Sequence, residues 1–253
     1  MSIGAYETTL NLQLWKAYAD EIEIFLETPA GENLPVLSEK IDIQRYRVGE
    51  TELLIYYGKP GPFQVTQEIY IDFIPRGTYL TPGVWKIHLQ GRRIKEGNYN
   101  LWLPGGNVLN TVTGFYRPVA AETLTIPSTA AKVITVGAYD SRLNAYADFS
   151  GRGGENLSYP KPDLVAPGVD ILAPSVGGSY TGVTGTSFAT PFVTGSAALM
   201  MEWGITRRND PFLWGEKVKA YLRRGAQPLP GFDRYPNESV GWGALCTAGS
   251  IPK

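Results

Sequence analysis

Residues 185–195 read Gly185-Thr186-Ser187-Phe188-Ala189-Thr190-Pro191-Phe192-Val193-Thr194-Gly195. This stretch decides the fold of the second half of the chain, because it and the small residues after it predict one close-packed helix from Ser187 to Trp203. A serine in the first turn lies where unpaired N–H groups and the positive end of the helix dipole meet. An oxyanion forming beside Ser187 would be stabilised there. Taken alone, however, Thr186 or Ser187 fits the commoner role of an N-cap.

The eleven-residue string resembles the nucleophile segment of the subtilase family, G-T-S-x-A-x-P followed by small residues. Two upstream segments resemble the same family, Lys161-Pro162-Asp163-Leu164-Val165-Ala166-Pro167-Gly168 and Tyr180-Thr181-Gly182. The resemblance covers roughly Glu122 to Gly249, about half of the chain. It implies that Ser187 is the nucleophile of peptide-bond hydrolysis, that Thr186 supports the oxyanion and that the substrate is a protein or peptide. No cofactor is expected.

The other members of a serine-protease triad are missing from the sequence. Serine is a weak nucleophile until a base takes its proton, and the base needs an orienting carboxylate. The family takes these from Asp-Ser/Thr-Gly and His-Gly-Thr-His motifs, and neither occurs here. The nearest match to the family's oxyanion asparagine, Gly106-Asn107, lies in a hairpin-like context and is not expected to serve. We expect the chain to be inactive alone and to need the N-terminal half of the catalytic domain as a partner.

The single histidine, His88, lies in a predicted strand. Trp85, Ile87 and Leu89 share one face of that strand, which places His88 on the polar face. The sequence therefore predicts a solvated histidine with no catalytic role.

Three other polar or reactive positions are interpreted as structural. Asp140 and Asp163 are expected to form cap or turn hydrogen bonds, and Cys246, the only cysteine, is expected to be a small buried residue. No metal site is expected, because Asp72 and Asp170 in predicted turns are too few for a calcium cage.

Residues 1–118 show an all-β pattern. Apolar residues alternate with acidic ones over Asp20–Glu27, with Phe25 as the exception, and Glu68–Phe73 places Ile69, Ile71 and Phe73 on one face. Short segments of this kind, separated by Gly and Pro clusters, predict a β-sandwich or jelly-roll domain.

Residues 119–253 have a different character. The apolar run Ala131–Ala138 predicts a strand buried on both faces of a parallel sheet, and a second helix is predicted from Trp214 to Arg224, ended by Gly225. The fold class is thus mixed: an all-β jelly-roll domain followed by the C-terminal portion of a subtilisin-like α/β parallel-sheet domain. This order resembles clostridial Csp-like subtilases, which carry a jelly-roll insertion ahead of the serine segment and imply a secreted or spore-associated location.

The bulk composition excludes several classes of partner. The net charge of -1, from 23 basic and 24 acidic side chains, argues against nucleic acid as a partner. No apolar run approaches the roughly 20 residues of a spanning helix, so no membrane partner is expected.

Two alternatives to a protease remain open. The family resemblance admits a pseudoprotease or regulatory binding protein in spore germination. Separately, the jelly roll could bind carbohydrate or protein through exposed aromatic residues such as Trp102 and Tyr70, or could simply rigidify the protease.

Overall fold

The structure is a computed structural model that describes residues 1–40, 42–59, 61–62, 64–105, 108–154 and 160–251. These residues form mainly β-strands, with few helices. The chain divides into two compact units, Met1–Pro118 and Val119–Lys253. Gly106-Asn107 lies outside the described residues.

The first unit is built mainly from strands. They are β1 (Ser2–Ile3), β2 (Leu10–Ala17), β3 (Glu21–Glu27), β4 (Gln44–Val48), β5 (Thr51–Tyr57), β6 (Thr66–Pro75), β7 (Gly83–Val84), β8 (Lys86–Arg93) and β9 (Tyr99–Trp102). An antiparallel sheet has the order β4-β5-β6-β2-β9, and β3 pairs with β8 in a separate two-stranded sheet.

The core of this unit lies on one face of the five-stranded sheet. Leu12 pairs with Ile71, and Ile71 with Ile55, so one buried row crosses three strands. Ile24 and Leu26 of β3 belong to the same apolar cluster, which places the β3–β8 sheet against that face. The alternation predicted over Asp20–Glu27 and Glu68–Phe73 follows from this arrangement, because every second side chain of a strand points to the core.

The opposite face of the five-stranded sheet carries the two aromatic residues that the sequence analysis singled out. Tyr70 and Trp102 are half-buried there rather than exposed. Tyr56 on β5 lies on the same face and is more open to solvent.

The second unit combines short strands with helices. Its strands are β10 (Val136–Asp140), β11 (Ala145–Tyr146), β12 (Leu164–Pro167), β13 (Ile171–Pro174) and β14 (Tyr180–Val183). Its helices are α1 (Thr186–Met201), which continues into a π-helical turn (Glu202–Thr206), α2 (Glu216–Gly225) and α3 (Thr247–Ser250). No helix among the residues that the structure describes is long and apolar enough to cross a membrane.

Helix α1 packs on a pair of parallel strands. β10 runs parallel to β12, with Ala138 beside Ala166, and β11 pairs antiparallel with β10. The helix buries one stripe of side chains at helical spacing against these strands, made of Ala189, Val193, Ser196 and Met200. Phe192 and Leu199 lie on the exposed side of the helix.

The predicted strand from Ala131 and the predicted helix from Trp214 both begin later than expected, and α1 ends at Met201 rather than at Trp203. The strand expected from Ala131 begins only at Val136, because the carbonyl groups of Ala131 and Val133 accept hydrogen bonds from lysine side chains instead of a neighbouring strand. The second helix begins at Glu216 rather than Trp214, because Gly215 has φ 53°, outside the helical range.

Candidate functional site

Ser187 is the second residue of α1, and its side chain is exposed. The N-cap position belongs to Gly185, whose φ of 154° is one that glycine adopts readily. The alternative interpretation of Thr186 or Ser187 as the N-cap therefore does not hold. No described residue forms a hydrogen bond with the Ser187 hydroxyl, so this hydroxyl is available for chemistry.

The turn before Ser187 is held by backbone contacts with the end of β12. The Gly168 N–H donates to the Tyr139 carbonyl at 3.0 Å, and the Gly185 N–H donates to the Gly168 carbonyl at 2.8 Å. A Cβ on Gly168 would lie 2.7 Å from the Cβ of Ala138, closer than side chains normally approach. Glycine at this position lets the start of the helix lie directly on the sheet.

The start of α1 favours negative charge. Its first turn contains no acidic side chain, and no side chain caps its free N–H groups. The helix dipole adds positive potential at the same place. Thr186 is half-buried beside Ser187, and its carbonyl accepts a hydrogen bond from Thr190 Oγ1 at 3.0 Å. An oxyanion beside Ser187 would thus lie near unpaired donors.

Asp140, the first acidic candidate, forms a turn at the end of β10. Its Oδ1 accepts from the backbone N–H of Arg142 at 2.9 Å, and the Arg142 guanidinium reaches on to Asp170 at 2.8 Å. The Arg142 N–H and side chain hold the pKa of Asp140 below its usual value. The structural role predicted for Asp140 fits these contacts.

Asp163 lies in a buried cluster of charges rather than in the predicted cap or turn. Its carboxylate accepts hydrogen bonds from the Thr135 N–H at 2.6 Å and from Arg223 Nε at 2.7 Å. It also pairs with Lys161 Nζ at 3.0 Å and with Lys219 Nζ at 3.2 Å. Both oxygens are therefore occupied by donors.

Three cations surround this one carboxylate. Burial lowers the pKa of Lys219, although Asp163 opposes the change. The Arg223 guanidinium also lies 3.9 Å from the centre of the Trp242 ring. Sequence reasoning missed this cluster because its members come from distant segments, and no local motif marks it.

Cys246 is half-buried rather than buried, so that prediction is wrong. Its Sγ accepts a hydrogen bond from the Gly249 N–H at 3.4 Å and caps helix α3. The thiol thus has a local structural role at the start of this helix.

His88 lies in β8 of the first unit. Its Nε2 is 2.9 Å from Glu27 Oε2, and its ring stacks on Phe25 with 4.5 Å between centroids. Lys86 and His88 hold the pKa of Glu27 below its usual value. The histidine is thus paired and half-buried, which corrects the prediction that it is simply solvated.

The residues that the structure describes contain no group of three or more His, Cys, Asp or Glu side chains arranged to hold a metal ion. Asp72 lies within β6 rather than in a turn. Asp170, in the left-handed region at φ 52°, pairs with Arg142.

Comparison with known proteins adds a family likeness to this geometry. The model of the subtilase family, Peptidase S8, matches residues 96–243. Serine protease AprX of Bacillus subtilis (strain 168) is 34% identical over 152 residues, which cover 52% of this chain and 32% of AprX. Subtilisin BL of Lederbergia lenta is 32% identical over 115 residues, covering 46% of this chain and 38% of that protein.

A solved structure extends the likeness to both units. The Clostridium perfringens CspB protease superposes with a TM-score of 0.87 and 35% sequence identity over 99% of this chain and 52% of that chain. This chain therefore spans about a third of each of the two relatives and about half of that solved chain.

Proposed function

Because the chain belongs to the subtilase family, we propose that it is the nucleophile-bearing part of a serine endopeptidase that cleaves proteins or peptides. The observation that carries this proposal is the position of Ser187, exposed and free of hydrogen bonds to described residues at the start of α1. Its place within the family's nucleophile motif supports the same role.

The local geometry supports distinct chemical roles for Ser187 and Thr186. Ser187 Oγ attacks the scissile carbonyl carbon and gives its proton to a base, and the carbonyl oxygen becomes an oxyanion. The Ser187 N–H donates to that oxyanion, and the Thr186 hydroxyl supports it. When the intermediate collapses, the base returns the proton to the leaving amine.

The base and its carboxylate come from outside this chain in our proposal. His88 is the only histidine of the sequence, and it is engaged by Glu27 and Phe25 in the first unit. Asp140 and Asp163 are likewise engaged by their own cationic partners. We infer that an N-terminal half of the catalytic domain supplies both groups and that this chain alone is inactive.

We further infer that residues 1–118 form a jelly-roll domain inserted ahead of residues 119–253, which form the C-terminal part of the subtilase α/β domain. Two antiparallel sheets that share one core support the first assignment. The parallel pair β10–β12 under helix α1 supports the second. The likeness to CspB over nearly the whole chain agrees with both.

A fluorophosphonate, which reacts covalently with activated serines, tests the function. The 253-residue chain and the same chain extended through its N-terminal coding sequence would be treated in parallel, with intact mass as the readout. We expect no adduct on the chain alone and one adduct at Ser187 in the extended protein, lost in Ser187→Ala.

Each other outcome has a defined meaning. An adduct on the chain alone would place the base within it, and His88→Ala would be the next variant. No adduct on either protein, with both folded, would overturn the protease proposal in favour of a pseudoprotease or regulatory binding protein.

A further inference from the structure

The outer face of the five-stranded sheet carries a row of aromatic and amide side chains. Tyr56 pairs with Tyr70, Tyr70 with Gln13, and Gln13 with Trp102. Because paired residues of neighbouring strands point to the same side, the four side chains form one line across four strands. We call these four residues the aromatic row.

The aromatic row faces away from the core. The alternate residues of the same strands, such as Leu12, Ile71 and Ile55, form the buried cluster on the other side. Tyr56 is 44% exposed, and Gln13, Tyr70 and Trp102 are half-buried. Tyr56 is therefore the side chain of the row that is most accessible to a ligand.

Polar groups flank the aromatic row on both sides. On one side of the aromatic row, Glu68 pairs with Trp15. On the other side, Asp72 pairs with Asn11. Neither carboxylate has a hydrogen bond or ion pair with a described residue, and burial raises the pKa of both. These are partly desolvated acceptors that lack a donor.

Among the described strand residues of this face, the cations lie on the edge strand β4. Arg45 and Arg47 belong to the edge strand β4, and Arg45 is already paired with Glu52 at 3.2 Å. The centre of the face therefore combines apolar rings, amides and uncompensated acceptors. A ligand suited to it has apolar faces, many neutral donors and no negative charge.

We propose that this face binds a neutral oligosaccharide, with pyranose rings on Tyr56, Tyr70 and Trp102 and hydroxyl groups donating to Glu68 and Asp72. The C–H face of a pyranose is apolar and packs on an aromatic ring, while its equatorial hydroxyls point sideways to the flanking acceptors.

The dimensions of the row fit a chain of sugars. Strands lie about 4.8 Å apart, so Tyr70 and Trp102, separated by one strand, are about 10 Å apart. Tyr56 extends the row by one further strand. Linked pyranose rings can span this length and contact successive aromatic side chains.

A protein partner fits this face less well. Charged residues are depleted at the centres of protein–protein interfaces, whereas Glu68 and Asp72 lie beside the middle of the row. A basic peptide would satisfy these carboxylates, but its binding would weaken steeply with salt. Binding of a neutral sugar would change little with salt, which separates the two cases.

Titration with cellohexaose, laminarihexaose and N-acetylchitohexaose tests the proposal, with calorimetry and tryptophan fluorescence as readouts. We expect at least one sugar to bind the 253-residue chain with a dissociation constant at or below about 1 mM. Tyr56→Ala and Asp72→Asn should each weaken binding about tenfold. Tyr18→Ala, an exposed tyrosine outside the aromatic row, should leave it unchanged.

Three outcomes would overturn the proposal. The first is no binding of any of the three sugars by the folded chain. The second is binding that Tyr56→Ala and Asp72→Asn leave unaltered while both remain folded by circular dichroism. The third is absence of sugar binding together with a dimer that Tyr56→Ala dissociates, which would assign the face to a second copy of the chain. None of these results bears on Ser187, whose role is tested separately.

Discussion

The backbone N–H of Gly185 donates a 2.8 Å hydrogen bond to the carbonyl oxygen of Gly168. This bond joins the residue before α1 to the residue after β12. A Cβ on Gly168 would lie 2.7 Å from the Cβ of Ala138 and 3.3 Å from that of Ala189. Sheet and helix therefore meet where only glycine fits, and this contact fixes the position of Ser187.

Replacing Gly168 should destabilise the second unit. In Gly168→Ala the added methyl group overlaps Ala138, and we expect a loss of about 1–3 kcal/mol in the free energy of unfolding. Gly195→Ala is the control, because its Cβ meets nothing within 4 Å in the exposed middle of α1. It should stabilise the helix by about 0.5–1 kcal/mol. Urea unfolding measures both, and a stable Gly168→Ala variant would contradict the packing argument.

Removing the charge of Asp163 should destabilise the second unit more than Gly168→Ala does. Asp163→Asn leaves Lys161, Lys219 and Arg223 without their shared counterion in a buried site. We expect a loss of about 3–5 kcal/mol, seen as a lower thermal midpoint of the second unit. Asp170→Asn removes an exposed partner of a surface ion pair and should cost less than about 1 kcal/mol. Equal losses in the two variants would refute the role of the buried cluster.

The outer-face carboxylates should destabilise the first unit when ionised. Burial raises the folded-state pKa of Glu68 above 4.5 and of Asp72 above 3.8. The free energy of unfolding is therefore highest at pH values below the unfolded-state pKa of each residue. It falls as the pH rises through the pKa of that residue in the folded state. Glu68→Gln and Asp72→Asn should raise the thermal midpoint at neutral pH, with a gain that disappears in acid. A gain independent of pH would show that ionisation is not the cause.

Asp20 should show the opposite pH dependence. The N–H groups of Glu96, Lys95 and Gly97 donate to its carboxylate and lower its pKa below 3.8. The ionised Asp20 therefore stabilises the fold at pH values above 3.8. This stabilisation is lost as the pH falls through the pKa of Asp20 in the folded state. Asp20→Asn should thus lower the thermal midpoint at neutral pH, with a difference that narrows in acid. Calorimetry over a pH series would show whether the two curves converge.

Thr186 should have a smaller effect than Ser187 on reaction with the fluorophosphonate. In the N-terminally extended protein, Thr186→Val removes a hydroxyl that supports the oxyanion but leaves the Ser187 N–H in place. We expect the labelling rate to fall about tenfold, less than the loss of a direct oxyanion donor. Thr190→Val, one helical turn further on, is the control and should label at the normal rate. An unchanged rate in Thr186→Val would exclude Thr186 from the site.

Local pattern predicted much of the architecture. Ile69, Ile71 and Phe73 were expected on one face, and all three are buried in the core. The helix that follows Gly185 also lies where its small residues predicted, although it begins at Thr186. Alternation and helical spacing are properties of a single element, so the sequence of that element is enough to reveal them.

The features that escaped prediction depend on partners distant in sequence. The run from Ala131 has the composition of a strand, but its carbonyl groups accept hydrogen bonds from Lys161 and Lys219, which lie 28 or more residues away. His88 lies beside Glu27, a contact set by the pairing of β3 with β8. Such contacts depend on strand register and on how the helices pack, and no single segment encodes them.

The ammonium groups of Lys161 and Lys219 are enclosed, with side chains only 1% and 7% exposed. Amine-acylating reagents attack a lysine nitrogen that is accessible and unprotonated, so neither residue can react while the second unit is closed. Lys132, by contrast, is exposed, and we expect it to react in the folded state. Acylation of Lys161 and Lys219 therefore reports transient unfolding of the unit that carries Ser187. The acylation of Lys132 serves as the reference rate for an exposed lysine.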